Sequence, residues 1–283
     1  MTDTGHPSHA KSARGSQADA FGARRRGDDM PDPWSAPALV ASPGGVAERF
    51  ARALGPRHPV AIFFAALIAG IVLISALSIV LGVLVVHVLV SGLGLGSPDN
   101  GFIRTLVHHR SGTLTSVSSV ASDVGGAPVL PILVGVIGLA FAIARRWRIA
   151  AFAVFALVAE SATYRITTLV IHRHRPSVHR LESLPVNASY PSGHTAASVA
   201  VYSGLVLLLA TRFTSSTFRA LAWTFAILMT TFVALSRMYR GMHHPLDVAG
   251  GALVGIGAIL VVLFACRAAG AAAEARGRAK ARS

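Results

Sequence analysis

From Pro59 to Pro98 the chain carries no Asp, Glu, Lys or Arg. A helix needs only about 20 apolar residues to cross the hydrocarbon core of a bilayer, so this run predicts a membrane span within residues 60–90. Further apolar stretches of spanning length fall at 127–144, 149–171, 195–211, 220–236 and 248–266. Over the whole chain 53% of residues are hydrophobic and only 13% charged, which excludes an ordinary soluble domain with a charged surface. The expected fold class is therefore all-α, a six-span transmembrane helical bundle. Residues 91–126 are too polar in places to span. Phe102, Ile103, Leu106, Val107, Leu114 and Val117 nevertheless keep roughly helical spacing, which predicts one or two short interfacial helices there. An ordinary surface loop fits that segment equally well.

A formal charge of +14 raises nucleic-acid binding, because clustered Arg and Lys neutralise phosphates. The distribution speaks against it. The basic groups at Lys11 to Arg57, at Arg145, Arg146 and Arg148, at Arg212 and Arg219, and at Arg267 to Arg282 are separated by apolar runs of spanning length. With six spans all of these fall on one side, and the positive-inside rule makes that side the cytoplasm. Both termini are then cytoplasmic. The loops 172–194 and 237–247 lie on the other side yet carry arginines against the rule, which suggests that they hold an anion.

Residues 1–57, rich in Gly, Ser, Asp and Arg, read as a disordered basic tail, residues 58–266 as the six-span domain, and residues 267–283 as a second basic tail. Six of the 12 acidic residues precede residue 50, so a two-metal site built from carboxylates is unfavoured. The single cysteine, Cys266, excludes an intrachain disulfide and a multi-cysteine metal site. No metal and no cofactor are expected.

Three clusters carry chemistry. In His172-Arg173-His174-Arg175-Pro176 the proline ends the third span and presents a guanidinium whose planar fork matches a phosphate, although an arginine at a membrane interface also serves as a snorkelling anchor. In Pro191-Ser192-Gly193-His194 the chain enters the fourth span, where free backbone N–H groups form an anion site; a simple serine N-cap is the plainer alternative. In the third cluster Ser236-Arg237 is followed by His243 and then Asp247. Spaced as i and i+4, the carboxylate can hold the far nitrogen of the imidazole and leave the near one free to attack, or the pair can merely staple a loop to a helix. Asp247 is the only acid in the last three spans, and an ionisable group at that depth is usually functional.

Together, Arg175-Pro176, Pro191-Ser192-Gly193-His194 and Ser236-Arg237 with His243 and Asp247 resemble the type 2 phosphatidic acid phosphatase superfamily, which also contains bacterial acid phosphatases and vanadium haloperoxidases. Its signature is a lysine, six residues, Arg-Pro; then Pro-Ser-Gly-His; then Ser-Arg, five residues, His, three residues, Asp. The resemblance covers about residues 60–266 and is closest to the integral-membrane branch. It implies a phosphatase/haloperoxidase-like core in which His243 attacks phosphorus to form a phosphohistidine. Asp247 would orient that histidine, and His194 would protonate the leaving alkoxide and later activate water. Arg175, Arg237, Ser192 and the Gly193 N–H would stabilise the equatorial oxygens.

One position departs from the signature. Its lysine falls at Thr168, which offers a hydrogen bond but no charge. Arg165 lies three residues earlier on nearly the same helical face and is the candidate substitute, unless it pairs with Glu160; Arg173 is a second candidate. Tyr239, Arg240 and His244 lie beside the third cluster, where Arg240 reads as a lipid-headgroup anchor; Tyr190 and Trp147 read as interfacial aromatics, and His172, His174 and His179 as surface histidines. The expected function is metal-independent dephosphorylation of a lipid phosphate or diphosphate in the bilayer, of the phosphatidic acid, phosphatidylglycerophosphate or polyprenyl diphosphate type, at the extracytoplasmic face. The alternative from another class is a non-catalytic phospholipid binder or lipid transporter that reuses the same anion pocket.

Overall fold

The structure, a computed structural model, describes residues 36–282. After a single 3-10 turn at Pro37–Leu39, nine longer helices follow one another among the described residues. They are α1 (Val46–Ala53), α2 (Pro59–Gly92), α3 (Gly96–His108), α4 (Gly112–Val124), α5 (Val129–Ile143), α6 (Trp147–Val170), α7 (Gly193–Ala210), α8 (Ser216–Tyr239) and α9 (Pro245–Lys280). Six segments are long and apolar enough to cross a membrane: α2, α4 with α5, α6, α7, α8 and α9. The expected spans thus fall within helices, except that the second begins earlier, at Gly112, because α4 continues into α5 across Pro128.

Local sequence explains the boundaries. Pro59 opens α2 where its missing N–H costs nothing, and the His58 ring accepts from Val60 N at 3.3 Å. The last part of α2, Leu84–Gly92, widens into a π-helix. The outer faces stay apolar: Ile68, Val72, Leu77 and Val80 on α2, and Leu221, Phe225 and Leu228 on α8, are exposed. In water that would be costly; against acyl chains it is what holds a span in place. Toward the inside, small residues let backbones approach. A Cβ at Gly251 of α9 would meet the Ser192 carbonyl oxygen at 2.4 Å, and one at Gly255 would meet that of Ala196 at 2.5 Å. These glycines bring α9 against the start of α7, and that contact builds the site.

Both tail assignments need correction where the chain is described. Residues 1–35 lie outside the described residues, but α1 forms within the supposed N-terminal tail, packing Ala47 and Ala51 against Ala268, Ala271 and Ala272 of α9. Likewise residues 267–280 continue α9 rather than leaving it. Alanine is the strongest helix former and presents a flat face, and Arg267 Nε donates to the Ala38 carbonyl at 2.8 Å. Charge composition alone hid this packing.

Candidate active site

The loop between α6 and α7 and the turn between α8 and α9 meet at one end of the bundle. The loop doubles back on itself: Ser189 N donates to Arg173 O at 3.0 Å and Arg175 N to Val186 O at 2.8 Å. Residues 171–175 are therefore extended, and side chains alternate. His172 and His174 face outward and are exposed, as expected of surface histidines, while Arg173 and Arg175 are buried.

Arg175 is held on three sides. Its Nε donates to Pro185 O (2.8 Å), Nη2 to Ala188 O (2.8 Å) and Nη1 to Met242 O (2.6 Å), and Nη1 also lies 3.3 Å from His243 Nε2. Burial, then the proximity of other arginines, lowers its pKa, with Tyr164 and Asp247 opposing. His243 itself is buried, and its Nδ1 lies 2.7 Å from the Ser189 carbonyl oxygen. A carbonyl only accepts, so Nδ1 carries the proton and Nε2 keeps its lone pair. Burial, and next the Arg175 charge, push the imidazole well below its ordinary pKa. The ring is thus a neutral nitrogen nucleophile in form.

Asp247 does not hold His243 as the i, i+4 spacing suggests. Its Oδ2 is 3.9 Å from His243 Nδ1, because α9 starts only at Pro245 and His243 precedes the helix. The carboxylate instead accepts from Ser189 Oγ at 2.5 Å, from His244 N at 2.9 Å and from Arg173. Since the same Ser189 supplies the carbonyl that meets His243, Asp247 reaches the imidazole through one residue. Arg173 bridges to Asp99 on α3 as well, and Asn100 Oδ1 lies 3.2 Å from His244 Nε2. The segment 91–126 is therefore two helices that brace the site, which excludes the surface-loop alternative.

Arg237 is fully buried near the end of α8. Its Nη1 donates to Ser122 Oγ on α4 and to Glu182 Oε1 (2.7 Å), while Nε and Nη2 are buried without a partner among the described residues. Glu182 also accepts from Arg240 Nε at 2.6 Å. Burial works against its charge, but hydrogen bonds and charge from Arg237, then hydrogen bonds from Arg240 and Ser122, hold its carboxyl down to about 2. Arg240 is buried in this network, not extended to a headgroup. Tyr190 is likewise no interfacial aromatic: it is fully buried between Gly82 and Gly250. Trp147 is exposed, as expected.

A cavity of about 250 Å³ opens among α5, α6 and α7, and Arg175, Gly193, His194 and His243 line it together with Gly126, Glu160, Ser161 and Tyr164. The first intrahelical bond of α7 runs from Ala196 N to Ser192 O at 3.0 Å, so the Gly193 amide has no acceptor within the helix. Ser192 is buried with its Oγ 3.0 Å from Thr195 Oγ1, and its N donates to Asp247 O at 2.9 Å. It neither caps the helix backbone nor lines the cavity. Arg165 is exposed and also outside the cavity lining, and Thr168 Oγ1 donates to the Arg165 carbonyl at 3.0 Å. The geometry therefore brings Arg175, Gly193, His194 and His243 together, sets Arg237 and Asp247 beside them, and leaves Arg165 and Thr168 apart. Glu182, Ser122, Asp99 and Ser189 were missed from the sequence. An isolated acid in a basic loop was the available signal for Glu182.

Chemically, such a site can receive a tetrahedral anion among guanidinium and amide donors with a nitrogen nucleophile on one side and a second imidazole within the same cavity. Residues 132–269 match the family model described as the PAP2 superfamily. An undecaprenyl-diphosphatase of Sulfolobus acidocaldarius is 33% identical over 104 residues, covering 37% of this chain and 46% of that protein. The human sphingosine-1-phosphate phosphatase 2 is 39% identical over 89 residues, covering 31% of this chain and 21% of that one. This chain thus spans less than half the length of either relative. A crystal structure of a transmembrane PAP2 type phosphatidylglycerolphosphate phosphatase from Bacillus subtilis superposes with a TM-score of 0.57 at 22% identity, covering 72% of this chain and 93% of that one, and so shares the fold. The match to the PAP2 superfamily thus takes in the span-and-loop segments that carry all three clusters, residues 132–269 of this six-span chain.

Proposed function

We propose that this protein is a membrane phosphatase that removes phosphate from a lipid phosphate or diphosphate without a metal, through a phosphohistidine. One observation carries the reading: His243, with its lone pair on Nε2, shares a single cavity with Arg175 and His194 inside a membrane-spanning bundle. His243 Nε2 attacks phosphorus as the P–O bond to the leaving group breaks, and His194 gives that oxygen a proton. Water then attacks the phosphoryl group, His194 takes the water's proton, and the P–N bond breaks. Arg175, the unpartnered Nε–Nη2 edge of Arg237 and the Gly193 N–H offset the charge on the equatorial oxygens. The relatives' names, an undecaprenyl-diphosphatase and a sphingosine-1-phosphate phosphatase, support a phosphorylated lipid as substrate.

The basic residues between α5 and α6, between α7 and α8, and at the end of α9 support placing that end of the bundle, with both termini, in the cytoplasm. The site then opens on the extracytoplasmic side. The test is phosphate release by the purified protein from a panel of lipid phosphates, with and without EDTA, for the wild type and His243→Ala. Turnover that resists EDTA and disappears in the variant is expected, together with an acid-labile, base-stable phosphoenzyme in the wild type. Loss of activity in EDTA overturns the metal-free route, and activity in His243→Ala overturns the nucleophile.

A further inference from the structure

The cavity wall holds a buried carboxyl group that the mechanism does not use. Glu160 is 2% exposed and stands on α6 roughly 15 Å along the axis from the helix end at Val170. Its Oε2 accepts from Ser161 Oγ at 3.0 Å, but Oε1 is buried with no partner among the described residues. The other buried or half-buried carboxylates of the site are each matched: Asp99 and Asp247 by Arg173, and Glu182 by Arg237 and Arg240. Glu160 has no such cation among the described residues. Leaving a carboxyl oxygen unmet inside a bundle is costly, and no packing role requires one, since a leucine or methionine would fill the space without that cost. Nor is this a metal site, because no group of three ligating side chains occurs among the described residues.

The position of Glu160 within the cavity shows what it could meet. Leu130, Leu157 and Ala197 give the cavity an apolar lining, and His194 lines it too. In-line displacement sends the leaving oxygen away from His243, so the alcohol half of the substrate follows toward His194 and Glu160. At about 250 Å³ the cavity is below the usual range of drug-sized pockets, roughly 300–1,000 Å³, and suits a headgroup. We infer, on the basis of the phosphatase reading above, that Glu160 accepts a hydrogen bond from a hydroxyl or ammonium group carried beside the phosphoester, and so selects lipid phosphates whose alcohol half bears such a donor. A carboxyl oxygen accepts in either protonation state. A substrate without a donor leaves Oε1 unmet in a cavity that the substrate has just closed to water, and sites built to pair a substrate hydroxyl discriminate strongly for that reason.

Initial rates would be measured for the purified full-length protein on four substrates. Phosphatidylglycerophosphate carries a hydroxyl next to the ester and sphingosine 1-phosphate an ammonium and a hydroxyl; dioleoyl phosphatidic acid and farnesyl phosphate carry neither. The wild type should favour at least one of the first two over both of the others by about tenfold or more in kcat/KM, and a preference for phosphatidylglycerophosphate identifies the hydroxyl as a sufficient donor. In Glu160→Met that ratio should fall at least tenfold, whereas Glu160→Gln, which keeps an acceptor oxygen, should retain most of it. Simple structural damage lowers all four rates in proportion and leaves the ratio intact, which would overturn the assignment, as would a wild type that treats all four alike. Should the wild type release phosphate from none of them, the phosphatase reading itself fails, and this selection with it.

Discussion

Glu182 Oε1 takes hydrogen bonds from both Arg237 Nη1 at 2.7 Å and Arg240 Nε at 2.6 Å. A guanidinium presents its N–H groups in a rigid planar fork. Fixing Nη1 on one edge therefore aims the other edge, Nε with Nη2, and that is the edge without a partner. On the phosphatase reading proposed above, Glu182 would set the orientation in which Arg237 meets the phosphoryl oxygens.

Replacing Glu182 by Ala should therefore lower kcat/KM by about tenfold or more, mainly through kcat, because the misaligned fork is missed most where charge builds up in the transition state. Glu182→Gln keeps the shape and one acceptor and should lose less. Steady-state kinetics on a water-dispersible lipid phosphate checks this. An equal loss in both variants would mean that charge alone, not direction, is the contribution of Glu182.

The same carboxyl has a pH signature. Its folded pKa is lowered from 4.5 to about 2, so the unfolded chain binds the proton first as pH falls. The stabilisation is complete above about pH 4.5 and is lost progressively down to about pH 2. Thermal denaturation in detergent should show Glu182→Gln destabilised relative to wild type at pH 6, with the gap narrowing through that acid window. A gap that widens as pH falls would reverse the sign.

His243 should remain uncharged well below the ordinary imidazole range, since burial and the neighbouring Arg175 both disfavour its cation. Nitrogen chemical shifts of labelled histidine should report a proton on Nδ1 at pH 6 and no titration near 6.5. A midpoint near 6.5 would show that the ring is more open to water than its burial implies.

Arg173 faces two aspartates, Asp99 and Asp247, in a buried cluster. Removing the cation leaves both acids uncompensated, a loss on the order of 3–5 kcal/mol. Arg173→Leu should fold poorly, and adding Asp99→Asn should recover part of the melting temperature. Arg165→Gln, at an exposed position outside the cavity lining, should turn over within about threefold of wild type. A large loss in the latter would return Arg165 to the role of the missing lysine.

The sequence disclosed what local patterns encode. Apolar runs marked the spans, and Arg175, His194 and His243 could be picked out because each sits in a short motif. It did not disclose what depends on contact between distant elements. The burial of Arg173 follows from the extended 171–175 segment pairing with 186–189, which breaks the helical periodicity of its surroundings. Asp247 was misjudged in its partner because an i, i+4 rule holds only inside a helix, and His243 lies before one. Asp99 and Ser122 belong to α3 and α4, whose mixed polarity hides a buried face, while Arg165 was favoured by helical spacing although α6 turns it outward. Charge made residues 46–53 and 267–280 look like tails, but their alanines pair two helices.

Gly126 separates the catalytic step from substrate binding. A Cβ added there would lie 2.6 Å from His194 Nε2 and 2.9 Å from its Cδ2, closer than any real contact. The main obstacle is the far end of a side chain that lines the cavity, so the ring can swing aside; the Ser122 carbonyl oxygen, at 3.2 Å, needs to give by only a few tenths of an ångström, and the fold survives. Gly126→Ala should express and melt within a few degrees of wild type, about what a loss under 1 kcal/mol allows. Its kcat should fall tenfold or more, because the proton can no longer be delivered to the leaving oxygen, while KM, set mainly by the guanidinium groups, should change little. Trapped phosphoenzyme should form more slowly on lipid phosphates, yet at a near-normal rate from an ester with a good leaving group such as p-nitrophenol, which departs without a proton. If both ester types slow equally, His194 is not the proton donor for the first step.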